Sequence, residues 1–127
     1  MQTPRILVVE DEAIIALEIN MILESQGFTV TSIATSGEQA VESARENLPD
    51  LVLMDVRIRG EFDGIKAAEK IQSIKKIPVI FLTGNTDLIS EGQLKQTNPV
   101  AVLSKPVAEW ELLDAIQDAL LADNGKN

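Results

Sequence analysis

The stretch LVLMD at residues 51–55 joins four consecutive apolar residues to a carboxylate. An apolar run without alternation is typical of a strand buried on both faces, as in a parallel sheet covered by helices. Three more runs of this kind occur in the chain: ILVV at 6–9, VIFL at 79–82 and VAVL at 100–103. The segment 28–34 (FTVTSIA) mixes apolar and hydroxyl residues, which favours a half-exposed edge strand. The sequence therefore predicts five strands.

Segments with apolar residues at helical spacing separate these strands. The predicted helices cover residues 12–26, 36–47, 64–74, 88–97 and 109–122. Ser36 and Gln39 have the spacing of a capping box, and Asp63 is a suitable N-cap for the third helix. The fourth helix has the weakest pattern because Gly92 interrupts it.

Strands and helices alternate along the chain, which predicts an α/β fold with a parallel sheet, right-handed crossovers and helices on both faces. On the last helix Leu113, Ile116 and Leu120 form one apolar stripe. In such doubly wound sheets the functional crevice lies beyond the carboxyl ends of the strands. The residues just past each apolar run are therefore the candidates for a site.

Composition excludes several classes of function. The chain has 127 residues, no cysteine and no histidine, so it offers no disulfide, thiol nucleophile, zinc-imidazole site or phosphohistidine. A net charge of −9 argues against nucleic-acid binding by this chain, and no apolar run is long enough to span a membrane. We expect one domain over residues 1–127, with no output domain in this chain and a cytoplasmic location.

Charged and hydroxyl side chains follow four of the five predicted strands. Glu10 and Asp11 follow the first strand, Asp55 the third, Thr83 the fourth and Lys105 the fifth. Each has an ordinary structural explanation alone, in a helix N-terminus, a turn or a solvated loop, so the prediction rests on their joint placement. At about 5 Å and an effective dielectric of about 20, each pair of these carboxylates repels by about 3 kcal/mol. One lysine does not offset that repulsion, whereas a divalent cation does.

The chemistry of these groups indicates phosphoryl transfer. Oxygen ligands without histidine or cysteine favour a hard ion, Mg²⁺ or Mn²⁺. An open cation site beside a carboxylate suits phosphate chemistry, with Asp55 as a nucleophile that forms an aspartyl phosphate. Lys105 would add positive charge to the phosphoryl oxygens, and the Thr83 hydroxyl would donate a hydrogen bond to them.

These motifs resemble the receiver domain of two-component response regulators over essentially the whole chain. The resemblance is carried by Glu10-Asp11, Met54-Asp55, Asp63-Gly64, Thr83-Gly84 and Ser104-Lys105-Pro106. It implies a flavodoxin-like three-layer (βα)5 sandwich with strand order 2-1-3-4-5, like that of the chemotaxis regulators. It also implies phosphorylation by a histidine kinase or a histidine phosphotransfer protein, and catalysis only of the protein's own phosphorylation and dephosphorylation.

The resemblance implies roles for individual residues as well. Glu10, Asp11, Asp55 and the backbone carbonyl of Arg57 would bind Mg²⁺. Thr83 and Lys105 would hold the incoming phosphoryl group, and the bond between Lys105 and Pro106 would be cis, as is typical of the family. Phosphorylation would switch the face formed by helix 4, strand 5 and helix 5, through which family members often form homodimers.

The sequence departs from the family pattern at the proposed switch. Val102 stands where the family usually has an aromatic residue, so we expect helix 4 to shift or melt instead, with Gly84 giving its loop extra freedom. Trp110 either packs into the core or a groove, or forms part of a partner surface. In the family the positions of Arg57 and Asn85 influence the lifetime of the phosphate.

The loop from Asp55 to Gly64 is one residue longer than is common in the family and carries Arg57 and Arg59. The two arginines are either solvated loop residues, or Arg57 orients or blocks the water that hydrolyses the aspartyl phosphate.

Three other functions are compatible with parts of the pattern. A pseudo-receiver, which binds partners without being phosphorylated, would have lost its acids or its lysine, and all of them are present. A flavin carrier is disfavoured because the similar TGNT loop (83–86) follows the fourth strand and the chain has no tyrosine. A phosphatase of the aspartyl-phosphate type needs a second aspartate at the position of Arg57.

Overall fold

A computed structural model describes residues 3–84 and 91–124 of the chain. These residues form five parallel strands that alternate with five helices. In chain order the elements are β1 (Arg5–Val9), α1 (Ala13–Ser25), β2 (Thr29–Ala34), α2 (Gly37–Asn47), β3 (Leu51–Asp55), α3 (Gly64–Ile74), β4 (Val79–Thr83), α4 (Glu91–Gln96), β5 (Ala101–Ser104) and α5 (Glu109–Asn124). The sheet order is β2-β1-β3-β4-β5, which confirms the predicted flavodoxin-like topology.

The apolar strands are buried because helices cover both faces of the sheet. Alternate residues of β1, β3 and β4 contribute to two separate hydrophobic clusters. Leu7, Val52 and Phe81 belong to the cluster that includes residues of α2 and α3. Leu53 and Ile80 belong to the cluster that includes residues of α1 and α5. Burial on both faces explains why these strands show apolar runs rather than alternation.

The helix starts follow the sequence signals with one difference. The Asp63 side chain accepts a hydrogen bond from the backbone N of Lys66, and the Ser36 hydroxyl accepts one from the N of Gln39. The Gln39 side chain, however, accepts from the N of Thr35 rather than from that of Ser36. Ser36 also forms a short β-bridge with Arg59 in the loop between β3 and α3.

The structure shows which face of α5 meets the sheet. Leu112, Ile116 and the small Ala119 face the sheet, whereas Leu113 and Leu120 are only half-buried. Both stripes have helical spacing, so spacing alone does not decide which one is buried. Trp110 is 71% exposed, so it does not pack into the core. Within the described part of the chain, no helix is both long and apolar enough to cross a membrane.

Candidate functional site

The carboxyl ends of β1 and β3 bring three acidic side chains together. A carboxylate oxygen from each of Glu10, Asp11 and Asp55 lies within 4.8 Å of the others. Parallel pairing of β1 with β3 sets Val9 beside Met54, so the acids that follow these residues meet at one edge of the sheet. The sequence predicted this convergence from strand ends alone.

Lys105 joins the two most buried acids of this group. Its Nζ lies 3.0 Å from Oε1 of Glu10 and 2.8 Å from Oδ2 of Asp55. The remaining oxygens accept backbone hydrogen bonds, Oε2 of Glu10 from the N of Glu12 and Oδ1 of Asp55 from the N of Arg57. Both carboxylates are therefore fixed in position by the chain around them.

The negative charges of Glu10 and Asp55 outnumber the single positive charge of Lys105. Burial raises the pKa of Asp55 from 3.8 to about 7; hydrogen bonding with Lys105 opposes this shift and the negative charge of Glu10 adds to it. Burial lowers the pKa of Lys105, but its hydrogen bonds to Asp55 and Glu10 outweigh that effect and raise the pKa overall. The Lys105 ammonium thus contacts two buried carboxylates, and a third carboxylate, that of Asp11, lies beside them.

The donor set fits a divalent hard cation. The three side chains offer carboxylate oxygen only, the ligand type that Mg²⁺ prefers. They also carry more negative charge than Lys105 neutralises, so a cation would relieve repulsion between them. Asp11 is partly exposed, and Nε of Arg59 lies 3.8 Å from its Oδ2, a contact that the sequence did not predict.

The loop that follows Asp55, residues 56–63, is anchored at its end. The N of Gly64 donates to the carbonyl oxygen of Val56 at 2.9 Å. Gly64 also packs so closely against the carbonyl oxygen of Asp55 that a Cβ at this position would overlap it. Arg57 is exposed at the start of the loop and its N donates to Asp55, which places its backbone beside the acids.

The remaining predicted residues lie on β4 and β5. Thr83 ends β4 and directly follows Leu82, which pairs with Asp55 of β3. The carbonyl oxygen of Thr83 accepts a hydrogen bond from the N of Lys105 at 2.7 Å. The bond between Lys105 and Pro106 is cis, as expected. Val102 pairs with Phe81 but is 42% exposed.

Two further residues were predicted to matter after β4, Gly84 for the freedom of the loop and Asn85 for the lifetime of the phosphate. Gly84 directly follows Thr83, whereas Asn85 lies outside the described residues.

The chain is similar in sequence to known proteins. The sequence pattern of the response regulator receiver domain matches residues 6–117. The transcriptional regulatory protein PdtaR of Mycobacterium tuberculosis is 34% identical over 116 residues, which cover 91% of this chain and 56% of that protein. The chain thus spans about half the length of this curated relative.

Solved structures show the same similarity over nearly the whole chain. The signal receiver domain of a modulated diguanylate cyclase from Desulfovibrio desulfuricans superimposes with a TM-score of 0.92 at 32% identity, covering 99% of this chain and 100% of that domain. The N-terminal domain of a response regulator/sensory box/GGDEF 3-domain protein from Carboxydothermus hydrogenoformans superimposes with a TM-score of 0.87 at 34% identity, covering 95% of this chain and 97% of that domain. The chain therefore belongs to the receiver domain family of two-component response regulators.

Proposed function

We propose that this receiver domain accepts a phosphoryl group on Asp55 from a histidine kinase or a histidine phosphotransfer protein, in the presence of Mg²⁺. Receiver domains generally bind Mg²⁺ at an acidic site, and their regulators partner with histidine kinases. The observation that carries the proposal is the contact of Lys105 Nζ with both Asp55 and Glu10, beside the cluster of three carboxylates. Glu10, Asp11, Asp55 and the backbone carbonyl of Arg57 would hold the ion.

The transfer begins with attack of an Asp55 oxygen on the phosphorus of the donor phosphohistidine. The new O–P bond forms as the N–P bond breaks, and the imidazole nitrogen keeps the electron pair and takes up a proton. Bound Mg²⁺ would neutralise charge on the carboxylates and on the phosphoryl oxygens. Lys105 is already at Asp55, so its ammonium needs only a small movement to pair with a phosphoryl oxygen, while the Thr83 hydroxyl donates to another.

The reverse half of the cycle is hydrolysis. A water molecule attacks the phosphorus, the bond to Asp55 breaks, and inorganic phosphate leaves with the aspartate restored. Exposed Arg57 follows Val56 at the entrance to this site and would influence the approach of that water. In this proposal the protein catalyses only these two reactions of its own side chain and acts on no other substrate.

Phosphorylation would change the face formed by α4, β5 and α5. The backbone N of Lys105 donates a hydrogen bond to the carbonyl oxygen of Thr83. A phosphoryl group that attracts both side chains would therefore displace the end of the β4–β5 pair. Val102 and Trp110 are exposed on this face. We propose that the altered face binds a partner or a second copy of the chain, and that the acidic chain itself binds no nucleic acid.

The test is phosphorylation of the purified protein by acetyl phosphate, with and without Mg²⁺, followed by intact mass spectrometry. We expect one phosphoryl adduct that requires Mg²⁺ and is lost in Asp55→Asn. Asp118→Asn makes the same change of charge on the exposed side of α5 and should be labelled like the wild type. Absence of the adduct, with Mg²⁺ and a cognate kinase present, would identify an interaction module that works without phosphate.

A further inference from the structure

The first turn of α2 contacts the loop that follows Asp55. The N of Gly37 donates to the carbonyl oxygen of Arg59 at 3.2 Å, beside the β-bridge of Ser36 with Arg59. The Glu38 carboxylate accepts from the N of Glu61 at 3.0 Å. We call these contacts between residues 36–38 and residues 59–62 the α2–loop interface. It joins two segments that are distant in the sequence.

Glu38 and two glycines give this interface its close fit. Gly60 has a φ of +114°, and a Cβ there would collide with the Glu38 carboxylate. A Cβ on Gly37 would lie 2.7 Å from the carbonyl oxygen of Phe62. The Phe62 side chain in turn packs against the core cluster that contains α2 and α3. The carboxylate of Glu38 therefore lies directly against the loop backbone, although the residue is exposed at the surface.

The interface holds the part of the loop that reaches the acidic site. Arg57 lies two residues before Arg59, and Nε of Arg59 lies 3.8 Å from Oδ2 of Asp11. Ile58, between the two arginines, is buried in the same core cluster. The position of the loop therefore affects the backbone beside Arg57 and the pairing of Arg59 with Asp11.

We infer that Glu38 is a positioning residue for the cation site, acting through the backbone of Gly60 and Glu61. This inference rests on the proposed Mg²⁺ site. Groups that orient metal ligands from outside the coordination shell typically change metal affinity by about 10- to 100-fold when they are removed. Glu38 acts through a backbone segment rather than on a ligand side chain, so we expect the lower end of that range.

The test compares Mg²⁺ binding by isothermal titration calorimetry in the wild type and three variants. Glu38→Ala should weaken Mg²⁺ binding about tenfold. Glu38→Gln keeps an oxygen that accepts from the N of Glu61 and should bind within about threefold of the wild type. Glu42→Ala removes the same charge from the next turn of α2 and should bind like the wild type. If Glu38 only stabilised the fold, Glu38→Ala would lower the urea midpoint of unfolding but would bind Mg²⁺ like the wild type.

Amide hydrogen exchange gives a second measurement that does not involve the metal. The N–H of Glu61 should exchange faster in Glu38→Ala than in the wild type, and Glu38→Gln should restore protection. Equal Mg²⁺ affinity in Glu38→Ala and the wild type would overturn the inference and leave the proposed function intact. Equal weakening in all three variants would also overturn it, because charge alone would explain the result. A wild type that binds no Mg²⁺ would overturn the inference and the proposed metal site together.

Discussion

The Asp55 carboxyl should make the metal-free protein less stable as the pH rises. Burial raises its pKa from 3.8 to about 7, with Lys105 opposing the shift and Glu10 adding to it. An acid with a higher pKa in the folded state binds more protons when folded than when unfolded. The free energy of unfolding therefore falls as the pH rises between these two values. A shift of about three units, at 1.36 kcal/mol each, corresponds to about 4 kcal/mol.

Asp55→Asn isolates this effect because the amide does not titrate. Urea unfolding of both proteins in EDTA should show the variant gaining stability relative to the wild type, by about 4 kcal/mol between about pH 4 and about pH 8. Asp118→Asn, at an exposed carboxyl, should show no such trend. Saturating Mg²⁺ should reduce the difference, since the ion binds the ionised carboxylate. A difference that is constant with pH, or that grows towards acid, would refute the electrostatic description of the site.

Three further substitutions test the site, its packing and the proposed switch surface. Lys105→Ala should still bind Mg²⁺, but its phosphorylation should no longer alter Trp110 fluorescence; a change equal to that of the wild type would remove Lys105 from the switch. Gly64→Ala should lower the free energy of unfolding by about 3 kcal/mol in urea, because the new Cβ overlaps the Asp55 carbonyl oxygen; unchanged stability would contradict that contact. Trp110→Ala should alter stability by less than about 0.5 kcal/mol, because the side chain is exposed, yet abolish dimerisation of the phosphorylated protein in sedimentation; a dimer that persists would exclude this residue from the interface.

The acidic site was predictable from the sequence because parallel strands impose its geometry. An apolar run fixes where a strand ends, and the carboxyl ends of neighbouring parallel strands lie at one edge of the sheet. Glu10, Asp55 and Lys105 each follow such a run, so their meeting follows from the topology without knowledge of any loop. The strand order itself came from the family resemblance rather than from the periodicity, and the structure confirms it.

Features that depend on the packing of two segments were not predictable in this way. The residue pattern of α5 allows either Leu112 or Leu113 to face the sheet, and only the contact with the sheet selects Leu112. Trp110 has a side chain suited to burial, but the same choice of face leaves it in solvent. Nothing in the sequence singled out Glu38, because its contact with Glu61 depends on how the loop folds back over α2.

In the proposed cycle, the imbalance of charge at the site would connect the binding of a cation to a movement of Lys105. In the metal-free protein one ammonium contacts two buried carboxylates, and burial, with a smaller contribution from the charge of Glu10, raises the pKa of Asp55 despite its contact with Lys105. A phosphoryl group on Asp55 would add further negative charge at the same place, so Lys105 would have to leave Glu10 in order to pair with it. The backbone N of Lys105 donates a hydrogen bond to the carbonyl oxygen of Thr83, so that movement would act directly on the end of the β4–β5 pair. A switch that acts through the bond between Lys105 and Thr83 needs no aromatic side chain at position 102. The change in Trp110 fluorescence on phosphorylation should therefore be lost in Lys105→Ala but kept in Val102→Ala.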